Sequence, residues 1–594
     1  MTKSVLITQC LQRDFVAPIT PGEALPNLLH IGHVESQRLM GEGDNNPVAR
    51  MIRWAEEQPT DSIQFIHIRD WHDESDVHQQ PHLEQFGQHC IANTPGAEFV
   101  FSHRSDADHH IIDSTTLNDF DNTDLAALLD KHKGTGIRVG ITGVWTEAKV
   151  MFLAYELTTR YPSFQIAVCS ALTASSSRSQ HFYALEQLKR IVGVKIIDSL
   201  GEFIEFLGGD LQDIIPLNIN QSLVIQGAED IELGEEDEQL LRYLFRDCKT
   251  IDLKILDGGF SGNLVAGITS TDMHGHEQAP HVIKIGPRAE MARERTAFEQ
   301  IETVMGNNAP AVADYADMLE RGAIKYRYAS MGSGKTNTFQ SLYMSGASEE
   351  SIENYLTAVF NTQLGRFYRA AVDDKQDLMQ YYEFSSRWAE SVKDKIKGLI
   401  GSCPDEGELT LPGNQRCPNL YHFYKHELDK LPPVVGDFPF SFVHGDLNGA
   451  NIIVDEQDNT WLIDFFHTHK GHVLKDFAKL ENDLLYIYTP IDSEDDLKLA
   501  YRFMGFLLSF ENPLVIDQVL PDEFVGTQFE PAFSTLRLIR TKAKQYIRED
   551  SPQQTLQWQI AQMRYAVHTI GFDEPSLNQR VWALFASSAL SYKV

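Results

Sequence analysis

No two of the six cysteines, Cys10, Cys90, Cys169, Cys248, Cys403 and Cys417, stand in a CxxC pair. That pattern fits reduced thiols better than a disulfide frame or a structural zinc site. Cys403 and Cys417 flank a Gly/Pro-rich loop and are the one pair that the spacing leaves able to meet. Positive charge is also scarce, with 51 Lys and Arg against 84 Asp and Glu and a formal net charge of −33. Such a balance argues against nucleic acid or an anionic membrane as a partner, so any nucleotide would be held by local cations. No uninterrupted apolar run approaches the length of a bilayer, and MTKSVLITQCLQRDF lacks the three regions of a secretory signal. The expectation is a cytosolic protein with no membrane partner. No internal repeat is visible.

What is present is enough for two or more domains: 594 residues, of which 42% are hydrophobic. From Ser4 to about Gly209, apolar runs (SVLIT, SIQFIHI, GIRVGITGV, FQIAVCS, VKIID) alternate with helical patterns such as DLAALLDKHK. Alternation of this kind predicts a mainly parallel sheet covered by helices on both faces, a three-layer α/β/α domain over 1–207. The periodicity then lapses into an acidic junction, 208–236, containing GAEDIELGEEDEQ. Beyond it, strand–turn–strand character (TIDLKILDGGFSGNLVAGITS, then HVIKIG) predicts a small sheet lobe over 237–345, and 346–594 reads as mostly helical. A sheet lobe followed by a helical lobe is the order of a bilobal, protein-kinase-like α+β domain.

The chemistry-bearing run is Val443-His444-Gly445-Asp446-Leu447-Asn448-Gly449-Ala450-Asn451, followed by IIVDEQDNTWLIDFF, which puts Asp464 at the end of a second strand-like run. Phosphoryl transfer needs a carboxylate beside the attacking hydroxyl and oxygen ligands for the Mg²⁺ that bridges the phosphates. Asp446 can supply the first, and Asn451 and Asp464 the second. Asp446 and Asn451 share one short loop, and a hairpin returns Asp464 to it. Here the sequence resembles the aminoglycoside phosphotransferase and choline kinase branch of kinase-like enzymes, which implies Asp446 as catalytic base, Asn451 and Asp464 as metal ligands, and ATP and Mg²⁺ as cofactors. Upstream, the Gly-rich turn with Gly258, Gly259, Ser261 and Gly262 lies between two strand-like runs, where backbone N–H groups can approach phosphates closely. Lys284 stands where such enzymes carry the phosphate-gripping lysine. Glu294 on the next helix is its expected partner, with Glu290 and Glu299 as rivals. Met331-Gly332-Ser333-Gly334-Lys335-Thr336 imitates the end of a Walker A loop, but its first glycine would fall on Ala329.

THKGHVLKDFAKLENDLLY, with GGFSG, VIKIGP and HGDLNGAN, further resembles the ternary-complex-associated kinase-like domains of bacterial conflict and signalling systems, over about 237–490. In that resemblance Asp476, Lys479 and Glu481 brace the active-site helix as structural ion pairs.

In the first domain, Cys10-Leu11-Gln12-Arg13-Asp14-Phe15 resembles the DMQNDF signature of nicotinamidase and isochorismatase-like hydrolases. Asp70-Trp71-His72, and His89-Cys90 running into Thr94-Pro95-Gly96-Ala97-Glu98, resemble that family's metal-binding elements. The resemblance implies Asp14 as the ancestral catalytic aspartate and Asp70, His72 and His89 as ligands of a divalent metal, with His78 and His82 open as further contacts. GITGVWTEAKVMFLAYEL matches the nucleophile segment, but Lys149 stands where the cysteine belongs, and the active-site lysine falls near Ser114. Without a thiolate no acyl-enzyme forms, so a degenerate hydrolase domain is expected, one that binds a ligand, metal or partner or supports a homo-oligomer. A buried Asp14–Lys149 ion pair is one way it would fill the vacated site.

The expected activity is transfer of phosphate from ATP to a hydroxyl of an unidentified acceptor, a small molecule in preference to a protein because no activation segment ending in APE is recognisable. The alternatives left open are an amide hydrolase with a regulatory kinase-like domain, a non-catalytic ATP-binding sensor, and transfer of AMP.

Overall fold

The computed structural model describes residues 4–594 apart from 21, 42, 44–45, 60–61, 104–108, 211–218, 228–232, 256–262, 306–310, 328–336 and 549–552, with backbone alone for 302–305 and 311. Two compact units result, one of residues 1–255, 259–300 and 312–326, the other of 256–258, 301–311 and 327–594. The first unit thus joins the expected N-terminal domain to the strands of the expected sheet lobe.

Six strands form the leading sheet: β1 (Ser4–Gln9), β2 (Ile63–Asp70), β3 (His109–Ser114), β4 (Arg138–Val144), β5 (Gln165–Ala174) and β6 (Lys195–Ile197), in the spatial order β3-β2-β1-β4-β5-β6. All the pairings are parallel. Every residue of β1 is buried, as expected of a strand covered on both faces. Its side chains alternate between two cores: Leu6 packs with Phe15, Trp54 and Phe203, whereas Val5 and Ile7 pack with Ile141, Leu153 and Val168. The order reverses between β1 and β4, and in an open α/β sheet ligands bind at the carboxyl ends of the strands at such a point. Cys10 follows β1, Asp70 ends β2, Ser114 ends β3, and Lys149 lies on the π-helical turn Thr146–Val150 that follows β4. Parallel pairing alone therefore brings these four residues to one edge.

A second sheet in the same unit has the order β11-β12-β10-β9-β8-β7, from β7 (Val224–Gln226), β8 (Cys248–Ile255), β9 (Leu264–Asp272), β10 (His281–Pro287), β11 (Ala311–Asp317) and β12 (Arg321–Arg327). β8, β9 and β10 pair antiparallel, and β7 adds to β8 in parallel. The helix Arg288–Met305 leaves directly from the end of β10.

The second unit is mainly helical, with three small sheets: β13 (Asn337–Thr338) beside β18 (Ile452–Val454) and β19 (Thr460–Leu462); β14 (Val372–Asp377) beside β17 (Val435–Val443) and β20 (His469–His472); and the hairpin of β15 (Glu408–Leu411) and β16 (Gln415–Pro418). All six cysteines are buried free thiols, so Cys403 and Cys417 do not pair.

At the end of β20, His472 is completely buried, with Tyr382 Oη 2.9 Å from Nδ1 and Gln557 Oε1 3.0 Å from Nε2. Burial pushes its imidazolium down to about 4. The unfolded chain therefore takes up this proton first, and stability falls as pH drops from about 6.5 through about 4. Urea titrations at pH 7 and pH 4 are expected to show wild type losing about 3 kcal/mol more than His472→Asn over that interval. Equal losses would count against the buried neutral imidazole.

Candidate active and metal-binding sites

At the carboxyl edge of the leading sheet, Lys149 Nζ lies 2.5 Å from Asp70 Oδ1, 3.0 Å from Asp119 Oδ1 and 3.1 Å from Ser114 Oγ. All four residues are buried. Burial alone would strip Lys149 of its charge, but Asp119 and Asp70 overcome it and hold the ammonium well above its usual range. Burial would likewise raise the Asp70 carboxyl, and the Lys149 ammonium holds it well below. Asp119 moves the other way, raised by burial that its share of Lys149 does not offset. The side chain of Gln12 locks Asp70 in place, accepting from its backbone N–H and donating to its carbonyl, each at 2.7 Å.

The other oxygen of Asp70, Oδ2, faces His89 Nε2 at 3.7 Å and His72 Nε2 at 3.9 Å. With His82 these two histidines form a group whose ligand atoms all lie within 4.8 Å of one another. The outward nitrogens are held, His72 Nδ1 by Gln79 Oε1 at 3.1 Å and His89 Nδ1 by the Gly87 carbonyl at 2.7 Å. A held Nδ1–H leaves Nε2 as the lone-pair nitrogen. His72 Nε2 is buried without a hydrogen-bond partner.

The second unit builds its site on the loop after β17. Asp476 accepts from the N–H of His444 (2.7 Å) and of Gly445 (2.8 Å) and from the Tyr368 hydroxyl (2.7 Å), which pins the loop's first turn. Gly445 has φ +88°, and a Cβ there would lie 2.1 Å from the His467 carbonyl oxygen, so only glycine fits. Asn448 and then the turn Gly449–Asn451 follow, with Asn448 Oδ1 capping the Asn451 N–H at 2.9 Å. Asn451 Nδ2 donates to the Asp446 carbonyl at 3.0 Å, which leaves Oδ1 as the oxygen that a cation can take. β18 and β19 pair antiparallel, and the Ile463 N–H donates to the Asn451 carbonyl at 3.1 Å, so Asp464 comes back beside Asn451. Lys479 Nζ stands 3.6 Å from Asp446 Oδ1 and 2.7 Å from Asp483. Burial pushes the Asp446 carboxyl up, and Lys479, His444 and His467 together bring it below its usual range.

In the first unit, Lys284 Nζ on β10 pairs with Glu294 Oε2 at 2.8 Å, both buried, and the Tyr326 hydroxyl donates to Glu294 Oε1 at 2.9 Å.

The family model described as ternary complex associated domain 9 matches residues 249–403 and 397–571, more than half of the sequence. The chain belongs to that family. Ahead of it, the isochorismatase domain model matches residues 4–199. Among solved structures, an isochorismatase-like hydrolase from Alkaliphilus metalliredigens is 24% identical, with 34% of this chain and 98% of that one covered and a TM-score of 0.28. Nicotinamidase/pyrazinamidase PncA from Bacillus subtilis is 22% identical, with 33% and 99% covered and a TM-score of 0.27. The pyrazinamidase of Pyrococcus horikoshii in complex with zinc is 27% identical, with 33% and 98% covered and a TM-score of 0.26. No curated protein matches the chain. This ternary complex associated domain 9 protein therefore carries an isochorismatase-like α/β/α domain at its N-terminus and an α+β remainder with several sheets.

Of the residues singled out from the sequence, Ser114 and Lys149 meet, as do Asp70, His72 and His89, and Asp446, Asn451 and Asp464 share one loop-and-hairpin assembly. The expected Asp14–Lys149 ion pair needs correction. Asp14 Oδ2 accepts from the Cys90 N–H at 2.7 Å, its carboxylate lies under Gly96, and Lys149 pairs with Asp70 and Asp119 instead. Cys10, the first residue of the CLQRDF motif, is the one that joins the cluster, with Sγ 3.5 Å from Asp70 Oδ1. Asp119 and Lys479 were also missed as site residues. Asp119 carries no motif of its own, and Lys479, read as a brace, stands 3.6 Å from Asp446. Gly258, Gly259, Ser261 and Gly262, and the Met331–Thr336 segment, lie outside the described residues.

Proposed function

We propose that this protein is an ATP- and Mg²⁺-dependent phosphotransferase acting on a hydroxyl of a small acceptor, with an N-terminal domain that has given up hydrolysis and keeps a divalent-metal site. The observation that supports it best is the Asp446 loop. The Asp446 carboxylate, half-buried and held ionised by Lys479, shares its loop with Asn451, whose amide nitrogen donates to the Asp446 backbone carbonyl and so leaves its oxygen for a cation, and the hairpin returns residue 464 beside Asn451. In the transfer, the acceptor's O–H proton passes to Asp446 while its oxygen bonds to the γ-phosphorus and the bond to the β,γ-bridging oxygen breaks, releasing ADP. Asn451 Oδ1 and Asp464 are the residues that would hold Mg²⁺, which when bound neutralises phosphate charge. Lys284, held by Glu294, is assigned to the α- and β-phosphates. Incubating the protein with Mg²⁺, a metabolite extract and ATP labelled at either the α or the γ position tests the reading. Transfer of γ-label, lost in Asp464→Ala, is expected. Transfer of α-label would mean adenylylation, and ATP binding without any turnover would mean a sensor.

In the first domain, Lys149 at the nucleophile position leaves no group to form an acyl-enzyme, and its ammonium is spent on two carboxylates. His72, His82 and His89 with Asp70 Oδ2 fit a divalent metal, since the two held imidazoles direct their lone-pair nitrogens inward and one of these is buried without a partner. Gln79→Ala, which removes the acceptor on His72 Nδ1, is expected to weaken Zn²⁺ binding by about 10–100-fold in a chelator-competition titration. Unchanged affinity would remove Gln79 from the site.

A further inference from the structure

The helix Arg288–Met305 is amphipathic in an unusual way, because it has two working stripes. One, at Met291, Glu294, Phe298 and Ile301, follows the i, i+3, i+7, i+10 spacing and is buried, and Glu294 on it holds Lys284. The other, at Arg288, Arg295 and Glu299, follows i, i+7, i+11 and meets the isochorismatase-like domain. Arg295 Nη2 donates to the Asp198 carbonyl at 2.9 Å, and Thr296 Oγ1 donates to Asp198 Oδ1 at 3.1 Å. Arg288 Nη2 pairs with Glu205 at 3.0 Å, and a Cβ on Gly201 would come within 2.7 Å of Arg288 Nη1, so the helix start lies directly on that domain.

The centre of this contact is a relay of charges with little access to water. Arg38 donates to the Ala171 and Thr173 carbonyls on β5 and pairs with Glu35 at 2.8 Å. Glu35 pairs with Arg178 at 3.2 Å, and Arg178 pairs in turn with Glu299. Glu35 is 2% exposed, and Arg178 and Glu299 are 13% and 12% exposed, so neither end of the last pair has solvent to fall back on. Burial would raise the Glu299 carboxyl, and Arg178 and Arg295 hold it below its usual range. Breaking one member of such a buried set leaves the others uncompensated.

We infer that Arg178, Arg295 and Glu299 are positioning residues: by fixing the outer stripe of the helix to the isochorismatase-like domain they set the rotation of the inner stripe, and thereby the Lys284–Glu294 pair. The isochorismatase-like domain is then an integral support of the nucleotide-gripping lysine. Its role in nucleotide affinity rests on the proposed ATP chemistry, whereas the fixing of the helix does not.

The full-length protein decides both. Glu299→Gln and Arg178→Gln are compared with wild type, by circular dichroism for folding, by amide hydrogen exchange over 288–300, and by calorimetric titration with Mg²⁺-ATP. Expected in the folded variants are exchange at least about tenfold faster in this helix and ATP affinity weakened about tenfold. A purely structural contact would lower the melting temperature and leave ATP affinity and the exchange of Glu294's turn as they were, and that result overturns the inference. If wild type binds no ATP, the nucleotide reading falls and the exchange data alone judge the positioning. If neither Gln variant folds, Arg178→Lys, which keeps the charge and loses the fork, is judged on the same readouts.

Discussion

Asp446→Ala is expected to lower transfer of the γ-phosphoryl group by about 10²–10⁴-fold, the range for removal of a positioned general base, with ATP affinity within a few-fold of wild type. The split follows from position. Asp446 contributes its carboxylate to the acceptor side, and its backbone carbonyl, which the substitution retains, still holds the Asn451 amide at 3.0 Å. The loop survives as well, because its turn is pinned by Asp476 through the His444 and Gly445 N–H groups and by Asn448 through the Asn451 N–H, none of which uses the Asp446 side chain. Lys479 keeps Asp483 as a partner at 2.7 Å, so no buried ammonium is stranded. Single-turnover transfer of γ-label, measured beside ATP titration, checks both halves. A variant that transfers label at the wild-type rate would take the base assignment away from Asp446, and a variant that loses ATP binding would point to a structural part in the loop.

Much of this site could be read in advance because its geometry is local. Asp446, Asn451 and Asp464 lie within one loop and one hairpin, so their spacing along the chain already brings their stretches of backbone together. Glu294 could also be preferred to Glu290 and Glu299 from the sequence, although the reason Glu299 is not the partner, its engagement with Arg178 on another domain, is a contact of 121 residues' separation that no local pattern announces. The same holds for Lys149. Its position after the fourth strand was plain, but whether a lysine there would meet Asp14 or Asp70 depends on where two parallel strands end and on a side chain, Gln12, that locks Asp70 by its backbone. Asp119 gives no such signal, because nothing in a lone carboxylate says that it will be buried beside an ammonium.

Lys149→Met is expected to destabilise the first unit by about 3–5 kcal/mol, the cost of removing one partner from a buried ion pair. The side chain is 6% exposed, Asp70 8% and Asp119 0%, so the two carboxylates left behind have no water to turn to. Methionine nearly preserves the volume, which confines the effect to charge. Because Asp119 is already raised by burial, it takes up a proton readily and absorbs part of the loss, whereas Asp70, held well below its usual range by Lys149, does not. Adding Asp119→Asn to Lys149→Met should therefore recover part of the stability, in a double-mutant cycle read by urea unfolding. The pH dependence has a definite sign. A carboxyl whose folded-state value is depressed stabilises the fold above its ordinary range and loses that contribution as pH falls through the depressed value, so the Asp70 contribution should fade on acidification in wild type and be largely missing from Lys149→Met. Lys149→Cys should carry a similar loss, because a thiol does not replace the charge that the two carboxylates lose. A Lys149→Met protein as stable as wild type would show that the ammonium does not hold these carboxylates together.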